Sequence, residues 1–269
     1  MDSGAFHEAI ATLTERTGRT ADDVRQDAEA ALEEMSACID ESASRVWDRL
    51  GRWMTRSYEV DVDSTRLAEL AELGREHSLV FLPNHRSYLD PLVLRAATRG
   101  HRFPANYTLG GNNLALWPLS NLGKRSGLIF IRRSTRDDPI YPAMLRLYLG
   151  FLLRHHANLE WYFEGGRTRT GKLRPPRMGV LRYLVDAFEA NGDDSDDAYL
   201  VPVSIVYDQQ HEVSALSREE MGGTKVPESL TWAYRFARAQ GRRRGRVHVR
   251  FGPPLSLRDA LADAGSRAD

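Results

Sequence analysis

His85 and Asp90 stand five positions apart in Asn84-His85-Arg86-Ser87-Tyr88-Leu89-Asp90, between a short apolar run at 79–83 and another at 91–94. A histidine just past a buried strand can face a substrate while a nearby carboxylate fixes its tautomer and steadies its positive charge. The other ring nitrogen is then left to take a proton from a hydroxyl or a water. Inside one regular helix, residues five apart sit about 140° apart around the axis and do not meet. The pair therefore requires a helix that begins between them. Ser87 is the expected N-cap, with Asp90 three positions later as the capping acid and Pro91 still in the first turn.

A second group is Phe163-Glu164-Gly165-Gly166-Arg167-Thr168-Arg169-Thr170-Gly171-Lys172. Its two adjacent glycines let a backbone approach a ligand closely, and Arg167, Arg169 and Lys172 offer three cations. Arginine's fork matches phosphate oxygens. The spacing fits neither a Walker loop nor a dinucleotide fingerprint. A third group, Gly127 to Ser134, is an apolar strand that delivers Arg132 and Arg133 to its carboxyl end, where ligands gather in open α/β sheets. The two arginines alternate faces if the strand continues, so one of them is expected at the site. The run 200–208, with Pro202 near its start and Tyr207-Asp208 at its end, carries no functional signal alone.

The elements that must position these residues are legible as patterns. Apolar runs at 79–82, 128–131, 159–163, 200–206 and 247–251 alternate with helix candidates at 88–99, 139–156, 177–190 and 227–239. Alternation of this kind predicts an α/β fold, with a largely parallel mixed sheet flanked by helices. Residues 1–58 read as a helical N-terminal region and 59–269 as the α/β domain. Within the first part, Phe6, Ile10 and Leu13 recur at helical spacing, and Thr17-Gly18-Arg19 breaks the pattern. Thr20 with Asp23 then opens a capping box. The stripe Ala28, Leu32, Met35, Ile39, Ala43, Val46, Leu50, Trp53 predicts one long amphipathic helix that packs on the main domain. Residues 59–63 suggest a short strand, and Ser64 the cap of a small helix ended by Gly74.

Composition narrows the classes. The formal net charge is zero. Residues 1–50 nevertheless hold twelve Asp/Glu against five Lys/Arg, and 124–177 hold twelve Lys/Arg against four Asp/Glu, which suggests an anionic ligand in the middle of the chain. The loop Arg242-Arg243-Arg244 lacks aromatic platforms, so no nucleic acid is expected. Cys38 is the single cysteine; a disulfide within the chain is excluded, and helical spacing suggests a core position. The first residues are polar and acidic, unlike a signal peptide, and no apolar run reaches the roughly 18 residues of a membrane span. A chain acting in the cytoplasm or on a membrane surface is expected.

Taken together, the motifs resemble the glycerolipid acyltransferase superfamily over roughly residues 60–260. His85 and Asp90 match its His-x4-Asp, Gly127 to Arg133 its second block, Glu164 to Arg169 its third, and Val201-Pro202-Val203 its fourth. His-Arg-Ser-Tyr-Leu-Asp, Phe-Ile-Arg-Arg-Ser, Glu-Gly-Gly-Arg-Thr-Arg-Thr-Gly-Lys-Leu and Phe-Gly-Pro-Pro-Leu-Ser-Leu-Arg-Asp (251–259) are similar to the bacterial glycerol-3-phosphate and the dihydroxyacetone-phosphate acyltransferases. Asn84 ahead of the histidine is commoner in lysophosphatidate acyltransferases, so those acceptors stay open. The large flanks of the long bacterial enzymes are missing, which suggests a compact relative or a piece of one.

The resemblance implies an enzyme that moves a fatty acyl group from acyl-CoA or acyl carrier protein to glycerol 3-phosphate. His85 would be the base and Asp90 its orienting acid. Arg133, Arg167, Arg169 and Lys172 would hold the acceptor phosphate, and Glu164 and Gly165 match the acceptor block. Neither a metal nor another cofactor is implied. Backbone N–H groups just after His85 would be the oxyanion donors. A product that carries a fatty acyl chain implies work at a membrane, on the inner face of the cell membrane. Leu114, Leu116, Trp117 and Leu119, or Tyr148, Phe151, Leu152 and Leu153, would then touch lipid. Two rivals remain at this stage: a hydrolase using the same pair on water, and a non-catalytic lipid or CoA-binding module.

Overall fold

The computed structural model describes residues 3–101, 103–104, 106–111, 119–132, 135, 138–168, 172–192, 196–209, 238, 241 and 243–266. Three helices lead: α1 (Ser3–Thr17), α2 (Ala21–Met35) and α3 (Glu41–Thr55). Then come β1 (Glu59–Val62), α4 (Ser64–Leu73), β2 (Ser78–Pro83), α5 (Asp90–Thr98), β3 (Asn106–Gly111), α6 (Leu119–Lys124) and β4 (Leu128–Ile131). The chain continues through α7 (Ile140–Arg154), β5 (Asn158–Glu160), α8 (Gly179–Ala190), β6 (Ala198–Tyr207), β7 (Arg246–Phe251), β8 (Leu255–Ser256) and α9 (Leu257–Ser266). The strand order is β1-β7-β6-β2-β5-β3-β4, with β8 paired to β6. All neighbours are parallel except β6 with β7 and β6 with β8, so the α/β fold with a largely parallel mixed sheet is as expected.

The sheet is covered on both faces, and β2 shows why its run after Ser78 is apolar. Val80 belongs to one core with α1, α2, α7 and α8, whereas Leu79 and Phe81 belong to a second core with α4 and α5. Successive side chains alternate faces, so the run Leu79 to Leu82 is apolar on both sides of the sheet. Helix α7 is apolar on nearly all sides because α2, α8 and the sheet surround it. Tyr148, Leu152 and Leu153 are buried there rather than presented to lipid. Leu114, Leu116 and Trp117, with the side chain of Leu119, lie outside the described residues, as does all but Arg238 of the helix expected at 227–239.

The long N-terminal helix is two helices. Ser36 ends α2, and Asp40 caps α3 by accepting the N–H of Ala43 at 2.8 Å. The segment between them pairs with the turn ahead of β4: Cys38 N–H donates to Lys124 O, Asp40 N–H to Arg125 O, and Gly127 N–H to Cys38 O. Cys38 is exposed there, contrary to the expected core position. Val46 and Trp53 are exposed too, while Ala28, Leu32 and Met35 are buried as the stripe requires. The Thr20 capping box forms, with Thr20 Oγ1 accepting the Asp23 N–H. At α4 the cap is Asp63, not Ser64, and Gly74 closes it. Strand β3 was not foreseen, since Asn-Tyr-Thr-Leu-Gly-Gly has no apolar run. Among the described residues no helix is long and apolar enough to cross a membrane.

Candidate active site

Strand β2 ends at Pro83 and the chain turns at the carboxyl edge of the sheet. Asn84 is buried and acts as a side-chain extension of the ladder: Nδ2 donates to Ile205 O at 3.2 Å, and Oδ1 accepts the Ile205 N–H at 2.7 Å. His85 is thereby placed on the turn ahead of α5. The helix begins at Asp90 with Leu89 in the cap position. Ser87 instead bonds within the turn, its Oγ accepting the Leu89 N–H at 3.1 Å. The expected cap was thus two residues early, but the consequence for His85 is the same: it precedes the helix and faces back on its first residue.

His85 Nδ1 lies 2.9 Å from Asp90 Oδ2. The same oxygen accepts the N–H groups of Arg86 at 2.6 Å and Ser87 at 2.8 Å, and Oδ1 accepts the hydroxyl of Tyr207 at 2.7 Å. Asp90 is fully buried, and four convergent donors offset the cost of enclosing an acceptor-only carboxylate. Nδ1 therefore carries the hydrogen, and Nε2 of the neutral ring is an acceptor with no partner among the described residues. The side chain is 18% exposed, so the ring is reachable. The N–H groups of Arg86, Ser87 and Leu89 are all committed inside the turn. The sequence had offered such groups as oxyanion donors; these three are not available for that role.

The glycine-rich segment closes on this turn. Glu164 is buried, with Oε1 accepting the His85 N–H at 3.0 Å and Oε2 accepting the Arg174 N–H at 2.8 Å. Thr168 N–H donates to His85 O at 2.9 Å. Arg167 lays its guanidinium over the Tyr88 ring, 3.5 Å from the centroid. Gly165 has φ 65, and a Cβ there would stand 2.5 Å from Arg177 Cδ. Lys172 is exposed, and its carbonyl accepts the Thr168 hydroxyl at 2.6 Å. Arg133 and Arg169 lie outside the described residues. Arg132 is taken by Glu34, Asp138 and the Tyr141 ring.

The fold thus brings His85, Asp90, Glu164, Gly165 and Arg167 together. It also adds Tyr207 from the end of β6 and Tyr162, whose ring centroid is 4.3 Å from that of His85. Neither tyrosine was singled out from the sequence; their only signal was a polar aromatic at the carboxyl edge of a strand. Chemically, the arrangement can accept one proton at Nε2, hold the resulting imidazolium against a fixed carboxylate, and keep guanidinium charge within the same turn. Among the described residues no group of three or more His, Cys, Asp or Glu side chains is placed to hold a metal ion.

The family model for Acyltransferase matches residues 64–206, more than half of the chain, and the chain belongs to that family. A second model, for the glycerol-3-phosphate acyltransferase C-terminal region, matches residues 217–269. Relatives described as putative acyltransferase plsB1, from Mycobacterium bovis and Mycobacterium tuberculosis, are 45% identical over all 269 residues. The chain covers 43% of their length, so it spans less than half of these relatives. The crystal structure of the 1-acyl-sn-glycerophosphate (LPA) acyltransferase PlsC from Thermotoga maritima aligns with 81% of this chain and 72% of its own, at 14% identity and a TM-score of 0.41.

Proposed function

We propose that the chain is an O-acyltransferase that moves a fatty acyl group from an acyl thioester, acyl-CoA or acyl carrier protein, to glycerol 3-phosphate, giving lysophosphatidate for phospholipid synthesis. The observation that carries this reading is the His85–Asp90 contact at 2.9 Å, with the carboxylate fixed by three further donors and an arginine-bearing loop closed on the same turn. His85 Nε2 removes the proton from the acceptor hydroxyl as its oxygen attacks the thioester carbonyl. The tetrahedral intermediate expels the thiolate, and His85 returns the proton to sulfur. No covalent acyl-enzyme is required. Arg167, with Arg133, Arg169 and Lys172, is assigned to the acceptor phosphate on chemical grounds.

Work at the cytoplasmic face of a membrane is part of the same proposal. Exposed Val46 and Trp53 lie two helical turns apart on α3, beside exposed Arg45, Arg49 and Arg52 and the capping Arg56, a pattern suited to an anionic lipid surface.

The test supplies acyl-CoA and acyl carrier protein donors with glycerol 3-phosphate, dihydroxyacetone phosphate and lysophosphatidate together, and identifies products by mass spectrometry. Lysophosphatidate bearing the donor's acyl chain, chosen to differ in mass from the lysophosphatidate supplied, is expected as the product, reduced by ~10²–10⁴ in His85→Ala. Free fatty acid alone would point to a hydrolase, and undiminished transfer in His85→Ala would remove the histidine from the mechanism.

A further inference from the structure

His85 has a second neighbour that the dyad does not account for. The ring of Tyr162 lies against it, centroids 4.3 Å apart and planes 36° from parallel. The Tyr162 hydroxyl donates to Glu160 Oε1 at 3.0 Å. Glu160 Oε2 accepts from Asn106 Nδ2 at 3.1 Å and from Thr108 Oγ1 at 3.2 Å. Glu160 is 1% exposed, on β5 between β2 and β3, in the interior of the sheet. A carboxylate kept in such a place must be held by donors. Three converge on it, two from β3 and one from the residue that touches His85. The cation facing it is Arg95 on α5, itself paired with Asp48.

We propose that Glu160 is a positioning residue for His85, acting through Tyr162: by anchoring the phenol it fixes the aromatic face that sets the plane of the imidazole. The role rests on the reading of His85 as the base. Burial, then the nearby Glu160 and Asp90 charges, pushes the Tyr162 phenol well above its ordinary range, so it keeps its proton and remains the donor. Asn106 Oδ1 is buried without a hydrogen-bond partner among the described residues. A neutral amide in place of the carboxylate can therefore be accommodated by rotating Asn106, whereas an aliphatic side chain leaves three donors stranded.

The experiment reads the carbon-bound ring protons of His85 by NMR, identified by their loss in His85→Ala and displaced by the Tyr162 ring current. Kinetics are measured in parallel. Glu160→Leu should move these resonances and lower kcat by about 10- to 100-fold, with donor and acceptor KM within about twofold. Glu160→Gln should restore both resonances and turnover. Tyr162→Phe keeps the ring but cuts the anchor; it should move the resonances and lower kcat by about 3- to 10-fold, which covers a Glu160→Leu protein that fails to fold.

Wild-type resonances in Glu160→Leu or in Tyr162→Phe would overturn the proposal, and so would a loss expressed in KM. If His85→Ala retains acyl transfer, the functional reading fails. The resonances still decide whether Glu160 sets the histidine.

Discussion

Tyr207 donates its phenolic hydroxyl to Asp90 Oδ1, the oxygen that His85 does not use, at 2.7 Å. Tyr207 is the last residue of β6, and its ring meets Tyr58 edge-on with centroids 5.1 Å apart. The acid of the dyad is thus fixed from the neighbouring strand as well as from its own turn. Tyr207→Phe should lower kcat by about 3- to 30-fold, leave acceptor KM unchanged and cost about 1 kcal/mol of stability. Asp90→Asn should be worse on both counts, because its amide nitrogen must face at least one of four donors. Steady-state kinetics with urea unfolding checks this; wild-type kcat in Tyr207→Phe would mean that the turn alone holds Asp90.

Glu164 invites two readings with different kinetic signatures. The family resemblance implies contact with the acceptor, and loss of that contact raises acceptor KM. The geometry has both oxygens on backbone N–H groups, His85 at 3.0 Å and Arg174 at 2.8 Å, which makes it a brace between the turn and the basic segment. Glu164→Gln turns an amide N–H toward one of those donors. We expect kcat to fall about 100-fold with KM within about twofold. A KM effect without a kcat effect would restore the acceptor role.

What could be read from the sequence divides along a physical line. His85 and Asp90 are close in the chain, so a turn and a helix start suffice to bring them together, and the distance of 2.9 Å follows from local geometry. Tyr207 and Tyr162 reach the dyad only through sheet order, β6 and β5 lying on either side of β2, and no local pattern encodes that order. The interior strand β3 was invisible because its burial comes from neighbours rather than from its own composition. The break between α2 and α3 was hidden because Met35, Ile39 and Ala43 keep the four-residue spacing while the backbone leaves the helix. Asp40 is the cap signal that marks it.

Gly165 has φ 65, a left-handed conformation that an L side chain enters at a cost of about 1–2 kcal/mol. A Cβ there also meets Arg177 Cδ at 2.5 Å, although that side chain can yield. Gly165→Ala should therefore destabilise by about that amount and lower activity by shifting Glu164. Gly179 opens α8 with nothing within 4 Å of an added Cβ, so Gly179→Ala should raise stability by about 0.5–1 kcal/mol and leave kinetics alone. Urea midpoints for the two variants should move in opposite directions; equal movement would contradict the assigned backbone constraint.

Burial pushes Glu160 from an ordinary 4.5 up to about 7, against the pull of Tyr162, Asn106 and Thr108. Between those values the folded protein holds a proton that the unfolded chain has released, so stability falls as pH rises from about 4.5 to about 7, by on the order of 3 kcal/mol. His248 is raised by Asp61 first and then by Asp208. Its contribution is fully present below the ordinary 6.5 and is lost as pH rises through its folded value, in the same direction. Asp40, Asp61 and Asp208 are lowered, and their contribution is lost only as pH falls below about 4. Unfolding by urea at pH 5 and pH 7.5 should show the wild type less stable at the higher pH. Glu160→Gln should remove most of that difference, and His248→Gln a smaller part. Parallel pH curves for wild type and Glu160→Gln would mean that the buried carboxyl does not titrate in this range.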